Sequence, residues 1–410
     1  MKTIKPFHFH HVIHANASKS DAQRCLILAA FSDRPVQISG LDASDDIQSM
    51  IRCIETMGAR YDVKTETVYP IKERNKAEII LNVGESGFAL RTLAFIGLAL
   101  TKNLTLTGSG TLLNRNQHQL CQVLEKLGLH VSSNSEKLPL KISGSVTEKN
   151  MLVNGKDGSQ VISGLFLLAP LLEDESLVTI ENPTSKPYLE MTMSRMRDFG
   201  LSILEIEENK YKIPGNQKIH LNQISLEGDW SGAANHLVGA AISGQVELHG
   251  LRKESAQADR AILQMLRDFG AAISWKEDVL YVQASKSKNP FNTNIIDCPD
   301  LFPICVILAC SAKGTSRISG IHRLKNKESD RLDAMCELLN KWGIHYQIEE
   351  NSILISGTGK LSGIEINTRE DHRIAMAGTI AACISEKEMV LNNESCIKKS
   401  YPNFYHDLGV

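Results

Sequence analysis

The stretch Asn16-Ala-Ser-Lys-Ser-Asp-Ala-Gln-Arg24, followed by the apolar run Cys25-Leu-Ile-Leu-Ala-Ala-Phe31, sets the pattern for the chain. Ser20 and Asp21 are helix-capping residue types. They predict a helix start near Ser20, with Lys19 just outside the first turn and Arg24 one turn inside. A helix start carries free backbone N–H groups and the positive end of the helix dipole, and both attract anions. A Lys, an Arg and a hydroxyl added there make a cradle for phosphate or carboxylate. On its own the stretch reads first as an ordinary capped helix with solvated charges. What separates the two readings is that the design recurs.

Apolar helices of about 10–12 residues are expected from Ser20, Gly87, Ser159, Asp229, Asp300 and Asp371, starts separated by 67, 72, 70, 71 and 71 residues. Each is followed by a β-rich stretch, at 36–39, 104–107, 177–180, 246–248, 316–319 and 389–391. A second series of amphipathic helices ends on a glycine at Gly58, Gly128, Gly200, Gly270 and Gly343, as a C-cap requires. The chain therefore reads as six copies of a unit of about 70 residues. A helix apolar on all sides belongs inside its domain, and an amphipathic one at a surface. Six units divide into two α/β domains of three, with boundaries at 15–227 and at 1–14 plus 228–410. The segment 4–14 precedes the first helix and reads as a leftover strand completing the C-terminal domain. The two strand crossings this implies form a natural hinge.

Composition bounds what such a chain does. With 410 residues it can bury sizeable cores. A net charge of −2 gives no basic field for nucleic acid or an acidic membrane, so any anion site must be local. Apolar runs of about 12 residues are too short to span a bilayer. The segment Met1-Lys-Thr-Ile-Lys-Pro-Phe-His8 has no signal-peptide core. Nine scattered cysteines with no Cys-x-x-Cys pair point to a reducing cytoplasm rather than to disulfides or zinc. His8, His10, His11 and His14 have no acidic or cysteine partner nearby and read as one exposed strand face rather than a metal site.

The six helix starts carry Lys19-Ser20 with Arg24, Gly84-Glu-Ser-Gly-Phe-Ala-Leu-Arg91, Gly158-Ser159-Gln160, Glu227-Gly-Asp229, Asp297-Cys-Pro-Asp300 and Asp371-His-Arg373. Aimed at a gap between the domains, they would make an anion trap in a chain of negative net charge. Further basic residues stand in the intervening loops: Arg115, the run Lys325-Asn-Lys-Glu-Ser-Asp-Arg331, and Lys398-Lys399.

On these residues the chain resembles the 5-enolpyruvylshikimate-3-phosphate synthase family. The motifs occur in order: Ser-Lys-Ser-x-x-x-Arg at 18–24, Gly-x-x-Gly-x-Ala-x-Arg at 84–91, Ser-Gln at 159–160, Ser-Lys-Pro-Tyr at 185–188, Glu-Gly-Asp at 227–229, Lys-Glu-Ser-Asp-Arg at 327–331, Asp-His-Arg at 371–373 and Lys-Ser-Tyr-Pro at 399–402. Each is weak alone; eight in register on a sixfold repeat are specific. The resemblance implies a two-domain inverse α/β barrel with the active site in the interdomain cleft. It implies transfer of the enolpyruvyl group of phosphoenolpyruvate to the 5-hydroxyl of shikimate 3-phosphate, releasing phosphate, in aromatic amino-acid biosynthesis. No metal or organic cofactor is implied, and no nucleic-acid or membrane partner; a cytoplasmic monomer is expected.

By the same resemblance Lys19, Ser20, Arg24, Ser159, Gln160, Ser185, Asp300 and Lys327 would hold shikimate 3-phosphate. Lys19, Gly87, Arg115, Gln160, Arg331, Arg373 and Lys399 would hold phosphoenolpyruvate. Asp300 would take the proton of the 5-hydroxyl and Glu328 would protonate the methylene carbon, with Lys19 as a further catalytic group. The chemistry asks for these types: Arg grips phosphate and carboxylate bidentately, and addition followed by elimination needs a base and an acid. Glu328, between Lys327 and Arg331, is biased towards its ionised form, which closure or a proton relayed through Lys19 must offset. Departures from the family pattern are Glu85-Ser86 in the glycine loop, Gly158, Asn116 after Arg115, and Arg323. Gly87 is retained, which implies glyphosate sensitivity. The competing readings are a UDP-N-acetylglucosamine enolpyruvyl transferase, which would need a mobile-loop cysteine where only Cys121 is near, and a non-catalytic anion-binding relative.

Overall fold

Three sheets in the compact unit Ala17–Leu226 share one topology. The second shows it plainly. Ile79–Asn82 runs parallel to Asn103–Thr107, which is antiparallel to Lys137–Ser143, itself hairpinned to His130–Asn134. Parallel neighbours need a crossover, and Gly87–Ile96 supplies it. Ile79, Leu81, Leu104 and Leu106 turn inward while the residues between them, Ile80 and Thr105, point outward, so this sheet has one buried face. The computed structural model describes every residue except Ser285.

The central helices Lys19–Ala30, Gly87–Ile96 and Gln160–Leu168 are almost wholly buried. Leu26, Leu28, Leu93, Phe95, Leu165 and Phe166 belong to the core they build. The outer helix Asp45–Thr56 buries only a stripe, with Ile47, Met50, Ile51 and Ile54 at helical spacing. It ends at Gly58, whose φ of 109° a side chain would strain.

The other unit, Met1–Asn16 with Glu227–Val410, repeats the plan on the central helices Trp230–Ser243, Phe302–Ser311 and His372–Ala381. Two of its sheets have four strands and the third has three. The expected single strand at 4–14 is two: Lys2–Ile4 pairs antiparallel with Met389–Leu391, and His10–His14 pairs parallel with Gln245–His249. The interruption carries Lys5 and Pro6, and proline cannot donate to a ladder. In the unit Ala17–Leu226 the matching place beside Val36–Ser39 is taken by Gln223–Ser225, the strand that precedes the fourth central helix. In each unit, a sheet is thus completed by the strand that precedes, along the chain, the other unit's first central helix.

Two helix starts differ from expectation. The N-cap of the first helix is Ser18, whose hydroxyl accepts from Asp21 N at 3.4 Å, so Lys19 is inside the first turn rather than outside it. Asp300 lies within a 3-10 turn, Pro299–Leu301, that leads into Phe302–Ser311, so it caps nothing. Proline at 299 and 303 favours that tight entry.

Candidate functional site

The predicted site residues form two clusters, one on each unit. In the unit Ala17–Leu226, Lys19 Nζ meets Asp46 Oδ2 at 2.9 Å. Gln23 Nε2 donates to Lys19 O (3.3 Å), and Ser86 Oγ donates to Gln23 Oε1 (2.9 Å). This ties the first helix start to the second, where Ser86 is the N-cap. One turn on, Arg91 Nη1 donates to Gln160 Oε1 (2.6 Å), the first residue of the third central helix. A Cβ at Gly87 would stand 3.1 Å from Arg91 Nη1, 3.4 Å from Arg115 Nη1 and 3.8 Å from Gln160 Oε1. Glycine there leaves two guanidiniums and an amide gathered round bare backbone. Arg115 is buried and donates through Nη2 to Thr111 Oγ1 (3.0 Å). The same hydroxyl donates to Glu85 Oε2 (3.1 Å), which ties the departing carboxylate of the glycine loop to the Arg115 arm.

Arg24 is buried behind this surface. Its Nε donates to Thr192 Oγ1 (2.8 Å), Nη1 to Ser20 O (2.5 Å) and Nη2 to Tyr188 O (3.1 Å), with the guanidinium 4.4 Å over the Phe88 ring. Burial pushes its pKa down to about 10. Asp21 grips Arg195 at both ends, at 2.5 and 2.7 Å, docking the helix Lys186–Asp198 on the first central helix. That pairing places Ser185, a left-handed N-cap at φ 56°. Ser159 occupies the N-cap position of the third central helix without a side-chain capping bond, and follows Gly158, whose φ of 118° accounts for glycine where the family pattern has serine.

The second cluster is built on Arg331, 1% exposed at the first position of Arg331–Lys341. Nε donates to Asp371 Oδ2 (2.9 Å), Nη1 to Asp300 Oδ1 (2.6 Å) and Nη2 to Glu328 Oε2 (2.8 Å). Asp371 is fixed in turn, as cap of His372–Ala381 through Arg373 N (2.9 Å) and as acceptor from Ser329 Oγ (3.0 Å). Lys399 Nζ is 3.5 Å from Glu328 Oε1 and Arg373 Nη2 is 3.5 Å from Asp300 Oδ2. Arg373 is buried, and its Nε and Nη1 have no hydrogen-bond partner among the described residues. Burial alone would raise the Asp300 carboxyl, but Arg331, Arg373 and Lys327 outweigh it and hold it well below the usual range. Burial, then Arg323 and Arg331, push Lys327 down to about 8 against the pull of Asp300 and Glu328. Arg323 itself donates to Ile296 O (2.5 Å).

Several members of these clusters carry no signal in the sequence. Asp46 reads as an ordinary acid in a helix's first turn. Asp259, pushed up to about 6 by burial and by Asp300, takes a hydrogen bond from Ser231 and follows an unremarkable Gln-Ala pair. Arg91 stands one helical turn after Gly87 in the glycine motif, and that spacing is its signal in the sequence. Cys121 is buried in His118–Lys126, and burial raises its thiol to about 11, unlike a reactive loop cysteine. No group of three or more His, Cys, Asp or Glu placed to hold a metal occurs among the described residues, and no helix among them is long and apolar enough to cross a membrane.

Comparison with known proteins bears on these clusters. The family model described as EPSP synthase (3-phosphoshikimate 1-carboxyvinyltransferase) matches residues 6–408. A 3-phosphoshikimate 1-carboxyvinyltransferase of Clostridium novyi is 32% identical over 99% of this chain and 97% of its own. One of Clostridium acetobutylicum is 35% identical over 95% and 92%. Among solved structures, EPSP synthase from Acinetobacter baumannii superposes with a TM-score of 0.82, 24% identity and coverage of 99% and 97%. The enolpyruvyl transferase NikO from Streptomyces tendae gives 0.78 at 14% identity, covering 99% and 96%. The shared architecture is the two-domain inverse α/β barrel, and on the family model and these identities the chain belongs to the EPSP synthase family.

Proposed function

We propose that the two clusters divide the work of the family's reaction. Members transfer the enolpyruvyl group of phosphoenolpyruvate to shikimate 3-phosphate. In this reading Lys19, Ser20, Arg24, Ser159, Gln160, Ser185 and Lys327 hold shikimate 3-phosphate. Gly87, Arg115, Gln160, Arg331, Arg373 and Lys399, with Lys19, hold phosphoenolpyruvate. Arg91, through Gln160, belongs with them.

The observation that carries the reading is Arg331 shared between Asp300 and Glu328. Asp300 accepts the 5-hydroxyl proton as O5 bonds to C2 of phosphoenolpyruvate, and Glu328 gives a proton to C3. Elimination breaks the C2–O bond to phosphate, a proton from the new methyl group returns to Glu328, and the proton held by Asp300 leaves with the phosphate. Held by Arg331 and Arg373, Asp300 is a poor base and Glu328 is biased towards the ionised form. An incoming phosphate and carboxylate compete for Arg331, Arg373 and Lys399. That competition weakens the cations' hold, making Asp300 more basic and Glu328 easier to protonate. Substrate binding thereby sets both protonation states. Lys19, paired with Asp46, is the proposed proton relay. The setting is a cytoplasmic monomer, in keeping with nine free cysteines.

Phosphate release with each substrate omitted in turn tests this. Release should need both substrates and be inhibited by millimolar glyphosate. Asp300→Ala and Glu328→Ala should bind both substrates yet turn over far more slowly. Binding of shikimate 3-phosphate with no release on adding phosphoenolpyruvate would instead identify a non-catalytic relative.

A further inference from the structure

Lys399 closes the 3-10 helix Ser395–Lys399, and the chain then turns straight into the core. Ser400 N and Tyr401 N both donate to Ile397 O, at 3.0 and 2.8 Å. Asn16 Nδ2 donates to Ser400 O (2.9 Å). Tyr401, 1% exposed, packs edge-on against His236 and Phe404, with ring centroids 5.5 and 5.6 Å away. Its hydroxyl donates to Asp407 Oδ2 (2.7 Å) and lies 3.0 Å from His236 Nε2. The hydroxyl's proton is committed to Asp407, so it accepts from His236, which fixes the proton of His236 on Nε2. His236 is fully buried, and its Nδ1 has no partner among the described residues. The imidazole is therefore neutral, burial having pushed its pKa down to about 3.

The result is a one-way chain, His236 to Tyr401 to Asp407. It joins the fourth central helix to the terminal helix Phe404–Leu408 across the residue two places after Lys399. Phenylalanine would fill nearly the same volume but would leave the buried His236 N–H without its acceptor, and an unpaired buried polar group is costly. The turn at 397–402 is thus clamped at its carbonyl by Asn16 and at its side chain by His236 and Asp407.

We propose that Tyr401, held between His236 and Asp407, is a positioning residue that sets Lys399 for the substrate anion. This rests on the reading of Lys399 as a phosphoenolpyruvate ligand. Lys399 acts as a point charge on a flexible stem, so its backbone anchor decides where the ammonium spends its time.

The test is a double-mutant cycle in the full chain, reading KM for phosphoenolpyruvate, kcat and melting temperature. Tyr401→Phe should raise that KM about 3- to 10-fold with kcat changed less than about 2-fold, the size of one lost hydrogen bond. Lys399→Ala should raise it more. Adding Tyr401→Phe to Lys399→Ala should raise it no further. Asp407→Asn, at the partly exposed end of the chain, should move KM in the same direction by less and serves if Tyr401→Phe does not fold. Additive effects on KM, or a lowered melting temperature with KM unmoved, would overturn the positioning role. An unmoved KM in Lys399→Ala would overturn the ligand reading beneath it.

Discussion

The two clusters hold their guanidiniums differently. In the unit Ala17–Leu226 three guanidiniums donate to neutral oxygens, Arg24 to Thr192, Ser20 and Tyr188, Arg91 to Gln160 and Arg115 to Thr111, while Lys19 and Arg195 pair with Asp46 and Asp21. In the other unit they rest on carboxylates: Arg331 on Asp300, Glu328 and Asp371, Lys399 on Glu328, Arg373 on Asp300. A cation held by neutral partners keeps its full charge for a ligand and changes little when one arrives. A cation held by carboxylates exchanges one anion for another, and the released carboxylate changes its basicity. The first arrangement suits holding a substrate, the second suits moving protons.

Substitutions that erase this difference should have graded effects. The largest is expected at Asp300→Ala, which removes the proposed base: kcat should fall about 10²- to 10⁴-fold with both substrates still bound by calorimetry. Next is Arg331→Met, which takes the shared cation away from three buried or half-buried carboxylates, Asp300, Glu328 and Asp371. Breaking a buried ion pair from one side costs about 3–5 kcal/mol, so denaturant unfolding should show a loss of that order. Arg91→Met removes the donor to the neutral Gln160 amide, and the loss should be about 1–3 kcal/mol, seen as the smaller shift on the same unfolding curves. If the two arginines cost the same, the contrast between the clusters fails.

A smaller effect is expected from pH. Lys327, at about 8, is cationic below that value and loses its charge as pH rises through it. Phosphate affinity should therefore be full near pH 7 and fall above pH 8. In Lys327→Arg the guanidinium stays charged and the alkaline limb should disappear from a plot of KM for shikimate 3-phosphate against pH. The smallest effect is at Glu85→Gln, which keeps an acceptor for Thr111 and removes a charge beside Arg115: KM for phosphoenolpyruvate should drop about 2- to 3-fold.

How far the sequence could be read follows from range. Helix starts at Gly87, Ser159, Asp229 and Asp371 announce themselves by capping chemistry within four residues, and surface-helix ends by a glycine. The central strands follow by alternation just downstream. What escaped is long-range. Asp46 reaches Lys19 over 27 residues, Arg91 reaches Gln160 over 69 and His236 reaches Tyr401 over 165, and no local pattern encodes such partners. The split of segment 4–14 into two strands depends on sheets whose other strands lie more than two hundred residues later. The cap falls at Ser18 rather than Ser20 among three capping types, Ser18, Ser20 and Asp21, that compete within four residues.

The central claim is that substrate anions loosen Glu328 from its cations and so let it take a proton. Proton uptake on binding an unreactive phosphoenolpyruvate analogue, with shikimate 3-phosphate present, measures this directly. Calorimetry near pH 7 in buffers of different ionisation enthalpy should show uptake of about one proton per site, lost in Glu328→Gln. Tight binding with no uptake in the unaltered protein would contradict it.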